Sequence, residues 1–337
     1  MNQKENEFIK IESKPNPTVS IGFPLFNAEK YLRLSIESLL AQDFKDFELI
    51  VSDNCSTDNT FEICKEYAEK DSRIQLHKSD CNRGATFNFN YLFELARAPY
   101  FMWAAHDDMW EPSYIRKCLE KLKTHPSAVM CSSEVKFIDD DGDETSCSYN
   151  KLDTLGLEVR DRVSRMISQF VWLASYGLFR SDVIRKALPI TDKHASDVLF
   201  LLKIMLLGEV TIVNEPLFVY RRVTKELEDC IVSMNPKNKV KKLKAPWTGL
   251  AKDLLQIIEQ SDLDVETKKN IQSDMIQIFC SDPNWWRSIL KEGNYAFYKL
   301  MKIKNKIPHV LKPLFGVWDS EINNLQNKIV TRAVSLN

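Results

Sequence analysis

Two adjacent carboxylates, Asp107 and Asp108, are the residues of this sequence best suited to chemistry. They follow the apolar run Tyr100 to Ala105, which has the length of one buried strand. Carboxylates hold hard divalent cations, and Mg²⁺ or Mn²⁺ held in this way takes its remaining ligands from a bound phosphate. The pattern therefore predicts a site for a divalent cation and a phosphorylated ligand. A solvated turn before a helix opened by Glu111 and Pro112 fits the same residues.

The chain before this motif alternates between strand and helix periods. Strands are predicted at Val19 to Phe23, Glu48 to Val51, Ile74 to Leu76 and Tyr100 to Ala105, with amphipathic helices between them. This order is typical of an α/β fold whose mostly parallel sheet is covered by helices on both faces.

Polar clusters follow three of these strands. They are Asn27 with Glu29, Ser52 to Asp58, and His106 to Asp108. Because ligands of such sheets gather at the carboxyl ends of strands, we expect the three clusters to face one crevice.

The remaining sequence divides the chain into three parts. Residues 1–17 look like a loose arm, residues 18–223 form the α/β domain, and residues 224–337 form a lysine-rich helical region. Within the domain, Asp139 to Glu144 reads as a surface turn, and Asp197 opens an apolar helix that ends at Gly208. Further strands are predicted at Ala128 to Phe137, Val210 to Val213 and Leu217 to Tyr220.

Composition excludes several classes of protein. The 337 residues carry a formal net charge of −1, so nothing points to nucleic acid. Eight scattered cysteines indicate reduced thiols rather than a zinc site or disulfide framework. No apolar run of about 18 residues occurs, and the polar N-terminus lacks a signal-peptide core, so we expect a cytoplasmic protein that does not span a membrane.

Four motifs, in this order, resemble those of family 2 glycosyltransferases with the GT-A fold. They are VSIGFPLFNAEKYL from Val19, IVSDNCSTDNT from Ile50, NRG from Asn82 and HDD from His106. The resemblance covers about Thr18 to Arg221. It implies a metal-dependent hexosyltransferase, which inverts the sugar while moving it from a nucleotide-diphosphate donor to a hydroxyl of a saccharide or glycolipid acceptor. It also implies Mn²⁺ or Mg²⁺ as cofactor and a place in cell-envelope polysaccharide assembly.

The family pattern assigns roles to individual residues. Asp107 is expected to bind the metal directly, with Asp108 as a second ligand or in the shell around it. Asp53 is expected to accept hydrogen bonds from the base or ribose of the donor, although an ordinary Asp cap is the alternative. The residues expected to bind the donor nucleotide are Pro24, Asn27, Glu29, Asp53, Arg83 and Asp107.

Asp197 stands where the family places its catalytic base, which takes the proton of the acceptor hydroxyl. A helix N-terminal Asp favoured by the helix dipole is the alternative. The sequence departs from the family pattern at three positions: Ser196 replaces the Glu before the base, Ala105 replaces the first Asp of many Asp-x-Asp motifs, and Cys55 replaces a common Gly. On the acceptor side, four residues fit either a sugar-binding wall or the core: Trp172, Tyr176, Gly177 and Arg180.

Other functions compete with this assignment. A His-Asp phosphohydrolase needs further paired histidines, and the five histidines here are not paired at helical spacing. A sugar nucleotidyltransferase would carry a glycine-rich loop near the N-terminus, where only Gly22 occurs. A non-catalytic carbohydrate-binding or scaffold protein remains an alternative, which the retained Asp53, Asp107, Asp108 and Asp197 argue against.

The C-terminal region combines lysines with apolar side chains, which predicts peripheral contact with an anionic membrane surface. A solvated helix face or a dimer contact fits the same pattern. The lysines are Lys237, Lys239, Lys241, Lys242, Lys244, Lys299, Lys302, Lys304, Lys306 and Lys312.

Overall fold

A nine-stranded sheet lies at the centre of the computed structural model, which describes residues 17–148, 152–169, 172–223, 246–281 and 285. The strands run in the order β3-β2-β1-β4-β8-β6-β9-β5, and β7 pairs with β6. Their bounds are β1 Val19–Leu25, β2 Phe47–Asp53, β3 Ile74–Lys78, β4 Tyr100–Trp103, β5 Met109–Trp110, β6 Ala128–Ile138, β7 Glu144–Ser148, β8 Leu178–Arg180 and β9 Glu209–Arg221.

The first four strands form a parallel half-sheet, as the alternating pattern predicts. β1 lies between β2 and β4, β3 pairs with β2, and all three pairings are parallel. Every residue of β2 is buried, as expected for a strand covered on both faces.

The second half of the sheet is mixed, so the expectation of a mostly parallel sheet is wrong there. β8 pairs antiparallel with both β4 and β6, and β5 pairs antiparallel with β9, while β6 and β9 run parallel. The two predicted closing strands are one strand, β9, whose register shifts between Val213 and Pro216. Asn214 and Glu215 are exposed and have no partner residue in the β6–β9 pairing, so they form a bulge in β9. Pro216 follows the bulge, and prolines are common at such sites because they lack an N–H.

Helices cover both faces of the sheet. In the described residues, α1, α2 and α4 contribute to one hydrophobic cluster, and α3 and α5 to α9 contribute to the other. The bounds are α1 Leu32–Leu40, α2 Thr60–Lys70, α3 Ala85–Leu95, α4 Tyr114–Thr124, α5 Val159–Gln169, α6 Ser181–Ala187, α7 Ser196–Leu207, α8 Pro246–Gln260 and α9 Val265–Ser281.

The segment after Asp108 differs from the prediction of a helix opened by Glu111 and Pro112. Met109 and Trp110 form β5, paired with Val219 and Phe218 of β9, and α4 begins only at Tyr114. The pairing with β9 fixes these residues as a strand because Trp110 is buried there, stacked on Phe218 with ring centroids 5.3 Å apart.

The helices α8 and α9 share a core with the α/β domain. Leu254 of α8, Met275 of α9 and Trp285 are buried in the same cluster as Phe200 of α7 and Ile167 of α5. The helical character predicted after residue 224 therefore holds for 246–281, while the division into three parts stays a prediction. The lysines predicted to meet a membrane lie outside the described residues. Within the described residues, no helix combines the length and apolar character needed to cross a bilayer.

Candidate active site

A cavity of about 680 Å³ opens at the carboxyl ends of β1 and β4. Pro24, Asn27, Asp107 and Asp108 line it, so the structure brings these four predicted residues together. The expectation that polar clusters after the strands share one crevice is met by the segments after β1 and β4. From the cluster after β2, Asn54 reaches the cavity.

Asp108 is the most unusual carboxylate of the cavity. Its side chain is 0% exposed, and its Oδ1 accepts a hydrogen bond of 2.9 Å from the backbone N–H of Arg221. Its Oδ2 is buried without a hydrogen-bond partner. Burial raises the pKa of Asp108 well above its usual range, and the negative charge of Asp107 raises it further. A buried carboxylate with a bare oxygen calls for a proton or a cation.

Asp107 is half-buried at the cavity wall beside Asp108. In the part of the chain that the structure describes, no group of three or more His, Cys, Asp or Glu side chains could hold a metal ion. Mg²⁺ and Mn²⁺ bound against a phosphorylated ligand need only one or two carboxylates, since phosphate and water supply the rest. The bare Oδ2 of Asp108 and the neighbouring Asp107 fit that arrangement.

Arg221, which sequence reasoning missed, organises this carboxylate pair. Its guanidinium donates to the backbone carbonyls of Asp107 and Asp139, at 3.2 and 2.9 Å, and lies 4.3 Å from the ring centroid of Tyr31. The Tyr31 hydroxyl donates to Oδ1 of Asp140 at 2.7 Å. Arg221 therefore connects the turn that begins at Asp139 to the segment that carries Asp107 and Asp108. The available signal was its position at the end of a predicted strand.

Asn27 joins the segments that follow β1 and β2. Its backbone is left-handed, with a φ of 48°, and its N–H donates to Oγ of Ser56 at 2.9 Å. Its Oδ1 accepts the N–H of Thr57 at 2.9 Å. Asn is among the residues that tolerate this backbone conformation best. Asn27 thus shapes the cavity wall through the loop it holds.

Glu29, Asp53 and Arg83 do not line the cavity. Glu29 caps α2 by accepting the N–H of Asn59 at 2.8 Å, and it faces a separate groove. Arg83 is exposed and pairs with Asp80 at 2.9 Å. Their direct contacts with a donor stay predictions.

Asp53 lies behind the wall, 0% exposed, where both carboxylate oxygens accept the N–H of Ser56. Burial raises the pKa of Asp53, and its hydrogen bonds with Ser56 oppose that shift. The next residue, Asn54, reaches the cavity and donates to Oδ1 of Asn82 at 2.9 Å. Asp53 therefore supports a turn in this structure, and its contact with a base or ribose stays a prediction.

Asp197 lies in the first turn of α7, as predicted, and its Oδ1 accepts the N–H of Val198 at 2.9 Å. Burial raises the pKa of Asp197, which the hydrogen bond from Val198 and the charge of His194 oppose. Asp197 is outside the cavity lining. Tyr176 connects it to the cavity: burial raises the pKa of this phenol well above its usual range, and the charges of Asp108, Asp107 and Asp197 raise it further.

The four residues expected on the acceptor side divide into two groups. Trp172 and Tyr176 line the cavity. Arg180 instead donates to the backbone carbonyls of Ala128 and Leu122, at 2.9 and 2.7 Å, so its guanidinium holds the fold together. Gly177 is buried, and a Cβ there would lie 2.9 Å from the carbonyl oxygen of Cys131. The core alternative is therefore correct for Gly177 and Arg180.

Residues 20–183 match the sequence profile of "Glycosyl transferase family 2". These residues belong to glycosyl transferase family 2. A curated relative, the chondroitin synthase of Escherichia coli, is 33% identical over 144 residues, which is 42% of this chain and 21% of the synthase. The chain spans about two fifths of the length of other curated relatives that it matches.

Solved structures share the fold of this family 2 domain. S. aureus TarS 1-349 in complex with UDP-GlcNAc superposes with a TM-score of 0.63 at 18% identity, over 82% of this chain and 80% of TarS. The mannosyltransferase PcManGT from Pyrobaculum calidifontis, in complex with GDP-Man and Mn²⁺, gives a TM-score of 0.52 at 15% identity, over 94% of this chain and 87% of its own. The predicted GT-A-like α/β architecture is confirmed.

Proposed function

We propose that this chain transfers a sugar, with inversion, from a nucleotide-diphosphate donor to a hydroxyl of a saccharide or glycolipid acceptor. One observation carries the proposal: Asp108 is fully buried with a bare Oδ2, beside Asp107, in a cavity of about 680 Å³. A buried Asp with a purely structural role would have hydrogen bonds to both carboxylate oxygens, whereas a ligand for a cation would keep one oxygen without a hydrogen bond. Membership of the family supplies the reaction class.

Asp107 and Asp108 would hold Mn²⁺ or Mg²⁺ between them and the donor diphosphate. When bound, the cation neutralises the charge that develops on the departing diphosphate. Arg221 keeps the two carboxylates in place through the Asp107 carbonyl and the Asp108 carboxylate. The mannosyltransferase complex with Mn²⁺ supports the choice of metal.

Asp197 would act as the general base. Its raised pKa improves a carboxylate as a base, because it brings the proton affinity closer to that of the group it must deprotonate. In this role a carboxylate oxygen of Asp197 takes the proton of the acceptor hydroxyl, the hydroxyl oxygen bonds to C1 of the sugar, and the bond between C1 and the nucleoside diphosphate breaks. Burial raises the pKa of Tyr176, and the charges of Asp108, Asp107 and Asp197 raise it further, so the candidate base and the two candidate metal ligands act on one phenol.

The donor and acceptor classes follow from the relatives. TarS in complex with UDP-GlcNAc supports a nucleotide sugar as donor, and chondroitin synthase supports a growing saccharide as acceptor. The half-buried Trp172 and the phenol of Tyr176 offer apolar ring faces to such an acceptor. We therefore propose a role in cell-envelope polysaccharide assembly.

The test uses the purified full chain with UDP-, GDP- and dTDP-sugars, with and without Mn²⁺. A true donor at 100 times its Kd should add about 2.7 kcal/mol to the free energy of unfolding. The same donor should release its nucleoside diphosphate in a Mn²⁺-dependent reaction. The Asp107→Asn variant should show neither the stabilisation by the donor nor the release of nucleoside diphosphate. Binding without any release, even with saccharide acceptors present, would favour the carbohydrate-binding alternative. Release of pyrophosphate from a nucleoside triphosphate and a sugar phosphate would favour the nucleotidyltransferase.

A further inference from the structure

The loop before α7 immediately precedes the candidate base, Asp197, and contacts both α3 and α8. It runs from Leu188 to Ala195 and ends one residue before α7. Ala195 has left-handed backbone angles, with φ 52° and ψ 48°, which a residue other than Gly adopts rarely. A backbone in that conformation persists when its surroundings hold it.

Two contacts join this loop to α8, which lies further along the chain. Nζ of Lys193 pairs with Oδ1 of Asp253 at 2.7 Å. The His194 ring meets the Trp247 ring edge-on, with centroids 5.8 Å apart. A cavity of about 160 Å³ lies between the loop, α7 and α8, and Lys193 and Asp253 both line it.

The beginning of α8 is anchored in the core. Trp247 packs edge-on against Trp285, with ring centroids 5.6 Å apart, and Trp285 is 2% exposed. The indole Nε1–H of Trp285 donates to the carbonyl of Ile167 in α5 at 3.3 Å. Phe279 of α9 completes the aromatic group, 4.5 Å from Trp285. The loop is therefore attached to a rigid support.

The geometry points to Asp253 and Trp247 as positioning residues for Asp197. This inference rests on the proposed function, because it gives α8 a task only if Asp197 is the base. The ion pair and the ring contact fix Lys193 and His194, which lie four and three residues before Asp197. The first turn of α7 then presents the carboxylate in one orientation. Donor binding takes place at Asp107 and Asp108 and does not use the loop.

A charge swap tests the ion pair. We expect Asp253→Lys and Lys193→Asp each to lower kcat about tenfold or more, because a displacement of about 1 Å at a reacting group costs up to about 100-fold. Donor Kd should stay within about twofold. The double variant restores an ion pair of opposite polarity and should return kcat to within about threefold of wild type. Trp247→Phe, which keeps an aromatic ring against His194, should retain more kcat than Trp247→Leu.

The matched control is the pair of Arg160 in α5 and Asp274 in α9, which joins α9 to the domain at 2.6 Å away from the loop. Asp274→Asn should leave kcat unchanged. If it lowers kcat as much as Asp253→Asn does, the α8 contacts support the fold in general and the inference is wrong. Backbone hydrogen exchange gives a readout independent of activity: Asp253→Asn should speed exchange in residues 191–198, and Asp274→Asn should not.

The outcomes separate this inference from the proposed function. If Asp197→Asn abolishes turnover while the Asp253 and Lys193 variants keep it, Asp197 is the base and the positioning role is refuted. If Asp197→Asn is itself active, the base assignment has failed and the positioning role fails with it. If wild type transfers no sugar but the exchange result holds, the attachment of the loop stands and the proposed reaction does not.

Discussion

Replacing Asp108 by Asn should stabilise the metal-free protein while removing its response to Mn²⁺. The buried carboxylate has one hydrogen bond, from the N–H of Arg221, and its second oxygen has none. The Arg221 guanidinium donates its hydrogen bonds to backbone carbonyls, and its positive charge lowers the pKa of Asp108 by less than burial raises it. Wild type therefore buries a carboxyl group whose ionisation costs stability, and binding of a cation would relieve that cost.

The size of the effect follows from those contacts. Removing an under-compensated buried charge should relieve several kcal/mol, on the order of 3. The Asn keeps the oxygen that accepts from Arg221, but its amide N–H₂ takes the place of the bare Oδ2 and has no acceptor, which costs about 1 kcal/mol. A net gain of about 1–3 kcal/mol in the free energy of unfolding remains.

The gain should depend on pH with a definite sign. Because burial raises the pKa of Asp108 above the ordinary value of 3.8, the folded protein binds this proton more tightly than the unfolded chain does. Wild type thus loses stability as the pH rises above 3.8, until the folded-state pKa is passed. Asp108→Asn should match wild type most closely below pH 3.8, where Asp108 is protonated in both states, and exceed it at neutral pH.

Urea denaturation at neutral pH, with EDTA and then with Mn²⁺ plus a nucleoside diphosphate, measures both effects. Asp107→Asn is the control, because that half-buried side chain should change metal-free stability little while also removing the Mn²⁺ response. The reasoning is wrong if metal-free Asp108→Asn is less stable than wild type by about 1 kcal/mol or more. One lost hydrogen bond has about that size, so such a loss would show that the carboxylate is paired.

Three further predictions concern the base, the support of the metal site and the C-terminal region. Asp197→Asn should lower kcat by about 10² to 10⁴ with donor Kd unchanged, and the acid limb of the wild-type kcat profile should lie above pH 3.8 because burial raises the pKa of this base; a variant within about threefold of wild type would exclude Asp197. Arg221→Lys should weaken Mn²⁺-dependent nucleotide binding by about 10 to 100-fold in calorimetry, since an ammonium cannot donate to the carbonyls of Asp107 and Asp139 in the fork of a guanidinium; unchanged binding would contradict its supporting role. Full-length chain should float with anionic liposomes at low salt and not at high salt if the lysines from Lys237 to Lys244 meet a membrane, and no flotation at low salt would reject that contact.

The parallel half of the fold could be predicted because its information is local. Short buried strands alternate with amphipathic helices from Val19 to Trp103, and a parallel sheet is the arrangement that buries both. The second half depends on pairings between distant segments. Met109 reads as the start of a loop until Val219 is placed opposite it, and the bulge before Pro216 appears only when β9 is aligned with β6.

The candidate site shows the same division. Asp107, Asp108 and Asn27 were predicted because each follows a strand within its own motif. Arg221 is 113 residues from Asp108 in sequence, so no local pattern links the two. Membership of a motif does not place every residue at the cavity. Asn27 and Glu29 belong to the same motif after β1, yet the Glu29 carboxylate caps α2.

The burial of Asp108 is a consequence of how the strands are joined. β4 ends at Trp103 beside β1, and after five intervening residues the chain enters β5, which pairs with β9 at the other edge of the sheet. Since Met109 lies opposite Val219, Asp108 meets the N–H of Arg221 at the end of β9 and is enclosed there. An apolar residue at this position would suit the packing better, because it would leave no bare oxygen. The carboxylate is costly to stability at the place where two loops and a cavity converge, and the proposed cation would offset this cost.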